Sequence, residues 1–160
     1  MSKVIKTNAM RLLDTQKIAY EVLAYDISDE LLDGISVCEK IGVKYNEMFK
    51  TLVAIGKQNG VVVFVVGVDG ELDLKKAAEA CLEKKIEMLP VKELLSTVGY
   101  LKGGCSPIGM KKKFPVYIDE SSKELLHMYV NGGKKGITLK VAPNELLDAT
   151  NGKFVDIKRI

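Results

Sequence analysis

The chain has 160 residues, 47% hydrophobic and 28% charged, a composition that predicts one globular domain and excludes a disordered or fibrous chain. A net charge of +3 is too small to indicate a nucleic-acid partner by itself. Three well-separated cysteines form no disulfide framework, and one histidine without a CxxC pair offers no ligand set for a metal. We therefore expect a single domain over residues 1–160 with no metal and no other cofactor.

The N-terminal segment MSKVIKTNAMRLLD alternates charged and apolar residues and lacks the apolar stretch of a signal peptide. The longest apolar run, residues 61–68, is too short to span a bilayer. Both features predict a cytoplasmic protein that does not cross a membrane.

In the first two thirds of the chain, apolar spacing and end signals predict helices over residues 8–17, 35–41, 72–82 and 91–97. Strands are predicted over residues 18–25, 49–56 and 61–67. Thr7 or Asn8 is the expected N-cap of the first helix, and Gly42 the C-cap of the second. The Asn59-Gly60 pair predicts a hairpin between the second and third strands.

The last third opens with a stretch rich in glycine and proline, residues 98–110. Strands are then predicted over residues 114–119, 124–130, 137–141 and 153–157, with a short helix from Pro143 to residue 147. Neither a repeat nor a linker interrupts the sequence. Short strands with scattered helices and hairpins predict an α+β domain whose sheet can close on itself.

Two glycine-rich loops are the candidate site. In Gly103-Gly104-Cys105-Ser106-Pro107-Ile108-Gly109, paired glycines let a ligand approach backbone N–H groups closely, and successive N–H groups can hold a phosphate or an oxyanion. A tight connector explains the same residues equally well. Asn131-Gly132-Gly133-Lys134-Lys135-Gly136, between two predicted strands, has the pattern of a hairpin, whose lysines could meet a phosphate backbone.

Lys50 is the third candidate. Strand alternation places it on the same side as Leu52, so a core-facing Leu52 would bring the lysine to the interior near the strand end, where a lysine is costly unless it is paired or used. If the strand begins one residue later, the side chain instead extends outward to solvent. Both alternatives remain open from the sequence.

No protein nucleophile can be named. Cys105 lies in the glycine-rich loop, but a catalytic cysteine needs an activating base, and nothing places His127 beside it. Ser106 lacks the flanking residues of a nucleophile elbow. The residues alone therefore predict a pocket of backbone amides with one lysine.

Three segments together resemble the YbaK/EbsC-like family of aminoacyl-tRNA deacylases, relatives of the editing domain of prolyl-tRNA synthetase. They are Phe49-Lys50-Thr51-Leu52-Val53, the stretch GYLKGGCSPIG at residues 99–109, and YVNGGKKG at residues 129–136. The similarity extends from Thr7 to Pro143. It implies a mixed, barrel-like β-sheet flanked by helices, and an enzyme that removes cysteine wrongly attached to proline tRNA, with prolyl-tRNA synthetase as a further partner.

The resemblance also implies the site residues. Lys50 matches the lysine that supports activity, and the substrate-binding positions are Tyr25, Thr51, Gly103, Gly104, Ser106, Pro107, Ile108, Gly109, Asn131, Gly132 and Gly133. The family is thought to let the substrate's own thiol attack its ester. Cysteine-specific members carry serine at the position of Asn131, and the segment 28–34 is unusually acidic here. The alternatives are alanine on proline tRNA as the substrate, and a non-catalytic module that binds tRNA or a synthetase.

Overall fold

The structure, a computed structural model, describes residues 6–159. The first five residues and the last residue of the predicted domain, and with them the start of the N-terminal segment, lie outside the described residues. The α-helices are α1 (Asn8–Thr15), α2 (Gly34–Ile41), α3 (Leu74–Ala80), α4 (Val91–Val98) and α5 (Pro143–Thr150). The strands are β1 (Glu21–Ala24), β2 (Phe49–Gly56), β3 (Gly60–Gly67), β4 (Glu71–Leu72), β5 (Ile86–Met88), β6 (Val116–Asp119), β7 (Met128–Asn131), β8 (Ile137–Val141), β9 (Lys153–Val155) and β10 (Lys158–Arg159).

The helix ends follow the local signals in the sequence. The Thr7 hydroxyl accepts a hydrogen bond from the Met10 amide, which satisfies one of the free N–H groups at the start of α1. Gly42 closes α2 in the left-handed region at a φ of 73°. Pro143 occupies the first turn of α5, where its missing N–H costs no hydrogen bond.

The largest sheet has five strands in the order β5-β2-β3-β6-β9. The β2–β3 hairpin is antiparallel and closes between Gly56 and Gly60, as the Asn59-Gly60 signal predicts, while β3–β6 and β6–β9 are parallel. A second, antiparallel sheet has the strand order β1-β8-β7, and β4 pairs separately with β10. The mixed α+β fold is therefore confirmed.

The two larger sheets meet at one isolated parallel bridge between Met48 and Tyr129. This bridge brings the start of β2 beside β7, although the ladders between residues 6 and 159 do not join into one closed ring. Lys50 lies two residues after Met48 and Asn131 two residues after Tyr129, so the junction brings candidate residues of two distant segments to the same place.

Both faces of β2 are covered. Phe49 and Val53 pack into the main core with β7 and β8, while Ala54 packs with Phe64 and α3 in a second core. Strand alternation therefore sends successive residues of β2 into two different environments. Lys50 shares its side with Ala54, the side of the second core.

Several predicted boundaries were wrong. The helix expected over residues 72–82 is shorter, because Leu72 pairs in β4 and Asp73 caps α3 by accepting from the amides of Lys75 and Lys76. The strand expected over residues 124–130 begins only at Met128, after a 3-10 helix, Glu120–Glu124. Strands β5 and β10 were not predicted, since each depends on a partner strand distant in sequence.

Candidate active site

A cavity of about 140 Å³ lies at the junction of the two sheets. The start of β2, the end of β7, the first turn of α2 and the glycine-rich loop each contribute to its wall. It is lined by Tyr25, Leu32, Gly34, Val37, Met48, Phe49, Lys50, Thr51, Val68, Gly103, Cys105, Asn131 and Thr138. The structure thus brings together Tyr25, Lys50, Thr51, Gly103 and Asn131 from the residues predicted by sequence.

The wall is mostly apolar with a few polar groups. Thr51 Oγ1 is buried and has no hydrogen-bond partner among the described residues. A buried hydroxyl without a partner is costly, so a polar atom of a bound ligand would remove that cost. Cavities of about 150 Å³ hold molecules the size of benzene. This cavity therefore suits a small side chain or a single aminoacyl group and is too small for a nucleoside.

Lys50 lines the cavity and is partly exposed, with 31% of its side chain accessible. Its Nζ lies 3.4 Å from Glu71 Oε2 on β4. The structure thus combines the two alternatives left open by the sequence, since the side chain borders the cavity while its charge is paired at the surface.

One side chain joins the two glycine-rich loops. Asn131 Nδ2 donates to the Gly103 carbonyl at 2.8 Å, and Asn131 Oδ1 accepts from the Gly133 amide at 2.8 Å. The backbones of the two loops are so close that a Cβ on Gly104 would lie 3.1 Å from the backbone nitrogen of Lys135. Close approach of the loops explains the glycine at position 104.

Some of the amides of these loops are engaged within the protein. The Gly104 amide donates to the Leu101 carbonyl, and the Gly132 amide to the Ile137 carbonyl, each at 2.9 Å. The Gly133 amide donates to Asn131 Oδ1, so none of these three glycines has a free N–H group for an oxyanion. Within residues 6–159, the amides of Gly103 and Cys105 make no hydrogen bond and remain the candidate donors beside the cavity.

The other predicted site residues lie away from the cavity wall. Ser106 is buried and its hydroxyl accepts from the Ile108 amide at 3.2 Å, while Ile108 belongs to the main core. Pro107 and Gly109 line a separate groove. In the structure, Gly104, Ser106, Ile108, Gly132 and Gly133 shape the loops behind the wall.

Some lining residues were not predicted. Met48 and Phe49 adjoin Lys50 in sequence, and a search around that lysine would have found them. Thr138 pairs with Asn131 across the β7–β8 hairpin, so the register of that hairpin could have identified it. Leu32, Gly34, Val37 and Val68 carry no local signal, because tertiary packing alone brings them to the cavity.

The electrostatics of the cavity disfavour a protein nucleophile. Burial raises the pKa of the Cys105 thiol to about 12, so the thiol keeps its proton near neutral pH. The cavity wall formed by the described residues contains neither a carboxylate nor an imidazole. His127 instead lines a different surface depression with Tyr20 and Glu21.

Between residues 6 and 159, no three histidine, cysteine, aspartate or glutamate side chains are grouped so that they could hold a metal ion. None of the described helices is both long enough and apolar enough to cross a membrane.

Residues 33–149 match the family model of the aminoacyl-tRNA editing domain. The chain belongs to this family. It is also 45% identical over 152 residues to an Enterococcus faecalis protein named "Putative Cys-tRNA(Pro)/Cys-tRNA(Cys) deacylase EbsC", covering 95% of this chain and 93% of that protein. These matches confirm the family resemblance predicted from the two glycine-rich loops and the Lys50 segment.

Two further similarities are more distant. A proline–tRNA ligase of Kosmotoga olearia is 28% identical over 104 residues, which is 65% of this chain and 18% of the ligase. A solved structure described as a "putative trans-editing enzyme for prolyl tRNA synthetase" superposes with a TM-score of 0.85 at 24% identity, covering 98% of this chain and all of that one. At that identity, the superposition shows a shared fold.

Proposed function

We propose that this editing-domain protein is a freestanding deacylase that removes cysteine from proline tRNA, and from cysteine tRNA as well. The observation that carries the proposal is the 45% identity to EbsC over nearly the full length of both chains. The proposed site is the cavity between β2, β7 and the glycine-rich loop, with Lys50 as its catalytic residue. Tyr25, Thr51, Gly103 and Asn131 bind the substrate from the wall, and the remaining loop residues hold the wall in place.

The size and lining of the cavity support a small aminoacyl group as the part that enters. About 140 Å³ of mostly apolar space admits the side chain of cysteine or alanine, while the terminal nucleoside stays outside. Thr51 Oγ1 is available for a hydrogen bond to the bound group. A hydroxyl partner favours a substrate that carries a polar atom, such as a thiol, over one that ends in a methyl group.

The proposed chemistry uses the substrate's own thiol. Its sulfur attacks the ester carbonyl carbon, a C–S bond forms, and the C–O bond to the terminal ribose breaks. The thiol proton passes to the ribose oxygen, and cysteine leaves as a cyclic thioester that water later opens. Tethering makes the attack unimolecular, so the protein needs only to orient the ester and stabilise its developing oxyanion. The Lys50 ammonium and the amides of Gly103 and Cys105 are the groups for that task.

This role places the protein where charged tRNA is made, in the cytoplasm. The similarity to the ligase of K. olearia and to the trans-editing structure supports prolyl-tRNA synthetase as a partner that presents the mischarged tRNA. Mixing the protein with synthetase and proline tRNA tests this partnership. A ternary complex in size-exclusion chromatography is expected, and separate elution of protein and synthetase would contradict it.

The test of the function is a deacylation assay with purified proline tRNA charged with cysteine, alanine, serine or proline. Release of cysteine at least tenfold faster than of the other three is expected. Fast release of alanine with little release of cysteine would instead support the alternative substrate. If none of the four is released above the rate without protein, the protein is a binding module without turnover.

A further inference from the structure

Three lysines lie in or directly beside the two glycine-rich loops at the mouth of the cavity. Lys102 precedes Gly103, and Lys134 and Lys135 lie in the turn that follows Asn131. All three side chains are exposed, and none forms an ion pair within the part of the chain that the structure describes. They differ in this from Lys50, whose charge is paired with Glu71.

Contacts of the glycines show how near these lysines are to the cavity. An ideal Cβ on Gly103 would lie 3.4 Å from Lys135 Cε and 3.7 Å from Leu32 Cδ1. Since Gly103 and Leu32 both line the cavity, the Lys135 side chain lies beside its edge. Lys134 is held beside the same loop, because its Cα would lie 3.2 Å from a Cβ on Gly104.

Negatively charged residues lie close to the same loops, because a Cβ on Gly136 would lie 3.2 Å from Ile27 Cγ2 in the segment 26–33. The segment 26–33 contains four acidic residues and leads into Gly34, which lines the cavity. Lys40 neutralises one of them through an ion pair with Asp29 at 2.7 Å. The basic edge formed by the two glycine-rich loops therefore borders an acidic segment, residues 26–33. A polyanion approaching the cavity is attracted to the first and repelled by the second.

We propose that Lys102, Lys134 and Lys135 bind the phosphates of the single-stranded 3′ end of the tRNA, so that the nucleotide chain reaches the cavity over the glycine-rich loops and not across the segment 26–33. The inference rests on the proposed function, since the aminoacyl group must be in the cavity for its nucleotides to meet this edge. Exposed cations along a groove track a nucleic-acid backbone without reading its sequence. The lysine edge sets affinity and approach, and selection of the amino acid stays with the cavity.

The test compares two double variants of equal charge. Lys134→Gln/Lys135→Gln removes two charges from the edge, and Lys112→Gln/Lys113→Gln removes two exposed charges beside the separate groove. Each is assayed on cysteinyl-tRNA and on 3′-O-cysteinyladenosine, which has no phosphate. We expect the first variant to raise KM for the tRNA about tenfold more than the second. The first variant should raise the KM for cysteinyladenosine about tenfold less than it raises the KM for the tRNA.

Salt dependence provides the second measurement. The plot of log(1/KM) against log[salt] has a negative slope. Loss of two contacts to single-stranded phosphates should make this slope shallower by about 1.4. Equal KM values for the two double variants, or an unchanged salt slope, would overturn the inference. Those results require a wild-type protein that cleaves cysteinyl-tRNA, so they are distinct from a wild type that cleaves neither substrate, which would overturn the proposed function. Melting temperatures should match, because all four side chains are exposed.

Discussion

The side-chain amide of Asn131 donates to the Gly103 carbonyl at 2.8 Å and fastens the β7–β8 hairpin to the glycine-rich loop. The same side chain accepts from the Gly133 amide, so one residue holds both loops beside the cavity. A serine at this position would be too short to make both bonds with the backbones placed as they are here. The position of this part of the cavity wall thus depends on the side chain of Asn131.

Asn131→Asp tests this wall, because the carboxylate keeps the acceptor for Gly133 but replaces the donor to Gly103. We expect the carboxylate to repel the Gly103 carbonyl, with a loss of about 1–3 kcal/mol in the free energy of unfolding. The rate of cysteine release should fall at least tenfold, since Gly103 lines the cavity. Asn131→Ser should fall between wild type and Asn131→Asp in both respects. Thermal unfolding and single-turnover deacylation measure the two effects, and an Asn131→Asp protein with wild-type values would contradict this role.

Lys50→Ala should fold and lose most deacylase activity, a fall of about 100-fold or more, because the ammonium near the ester is lost. Its stability should change by less than about 1 kcal/mol, since the ion pair with the exposed Glu71 contributes little. Lys113→Ala, an exposed lysine away from the cavity wall, should keep nearly full activity. Initial rates and melting curves of the two purified variants decide the matter. Near-normal turnover by folded Lys50→Ala would remove the catalytic assignment.

Gly104→Ala should push the two loops apart. The added Cβ would lie 3.1–3.2 Å from backbone atoms of residues 134 and 135, which cannot rotate away as a side chain can. We expect a melting temperature a few degrees lower and a clear rise in KM. Gly70→Ala is the matched control, because its Cβ would meet only the flexible Lys158 side chain. Equal behaviour of the two variants would show that loop spacing does not matter. Gly103 suits this test poorly, since its φ of +86° strains any side chain.

Cys105→Ser should remain active on cysteinyl-tRNA, because the partly buried Cys105 thiol keeps its proton near neutral pH and the substrate supplies the nucleophile. Seryl-tRNA should react far more slowly with the wild type, since a hydroxyl is a poorer nucleophile. Both substrates are run with both proteins, followed by acid quenching and mass spectrometry of the protein. An acyl group trapped on Cys105 together with an inactive Cys105→Ser would refute substrate assistance.

The same thiol predicts an effect of pH on stability. Its pKa in the folded protein is raised from about 9 to about 12 by burial, so the unfolded chain loses this proton at lower pH than the folded one. The contribution is therefore fully present below pH 9 and is lost as the pH rises toward 12. Denaturant titrations at pH 8 and pH 10.5 should show a smaller decrease for Cys105→Ala than for the wild type. An equal decrease would show that the thiol ionises alike in both states.

Deacylation should survive EDTA, because the proposed chemistry requires no metal. Activity is measured after dialysis against the chelator and again after addition of zinc or magnesium. A loss of activity that zinc alone restores would show that the cysteines and His127 bind a zinc ion needed for deacylation. Magnesium is added equally to all samples in a parallel series, since it also affects the folding of the tRNA.

Local signals in the sequence predicted much of the fold. Thr7, Gly42 and Pro143 mark helix ends, and Asn59-Gly60 marks a hairpin, because capping and turn geometry depend on residues within a few positions. Strand β10 carried no such signal. It forms against β4 through a pairing between segments more than 80 residues apart, which only the packed chain brings together.

At the site, motifs in the sequence predicted the family and three candidate segments, the one around Lys50 and the two glycine-rich loops. The tertiary structure determines which of their residues line the cavity. Asn131 faces it and ties the loops together, while Ser106 is buried behind the wall, although both belong to matching motifs. It also decided the state of Cys105, whose pKa depends on burial that no neighbour in sequence reveals. Motifs record which residue types a site requires, but side-chain direction and solvation arise only when the sheets meet.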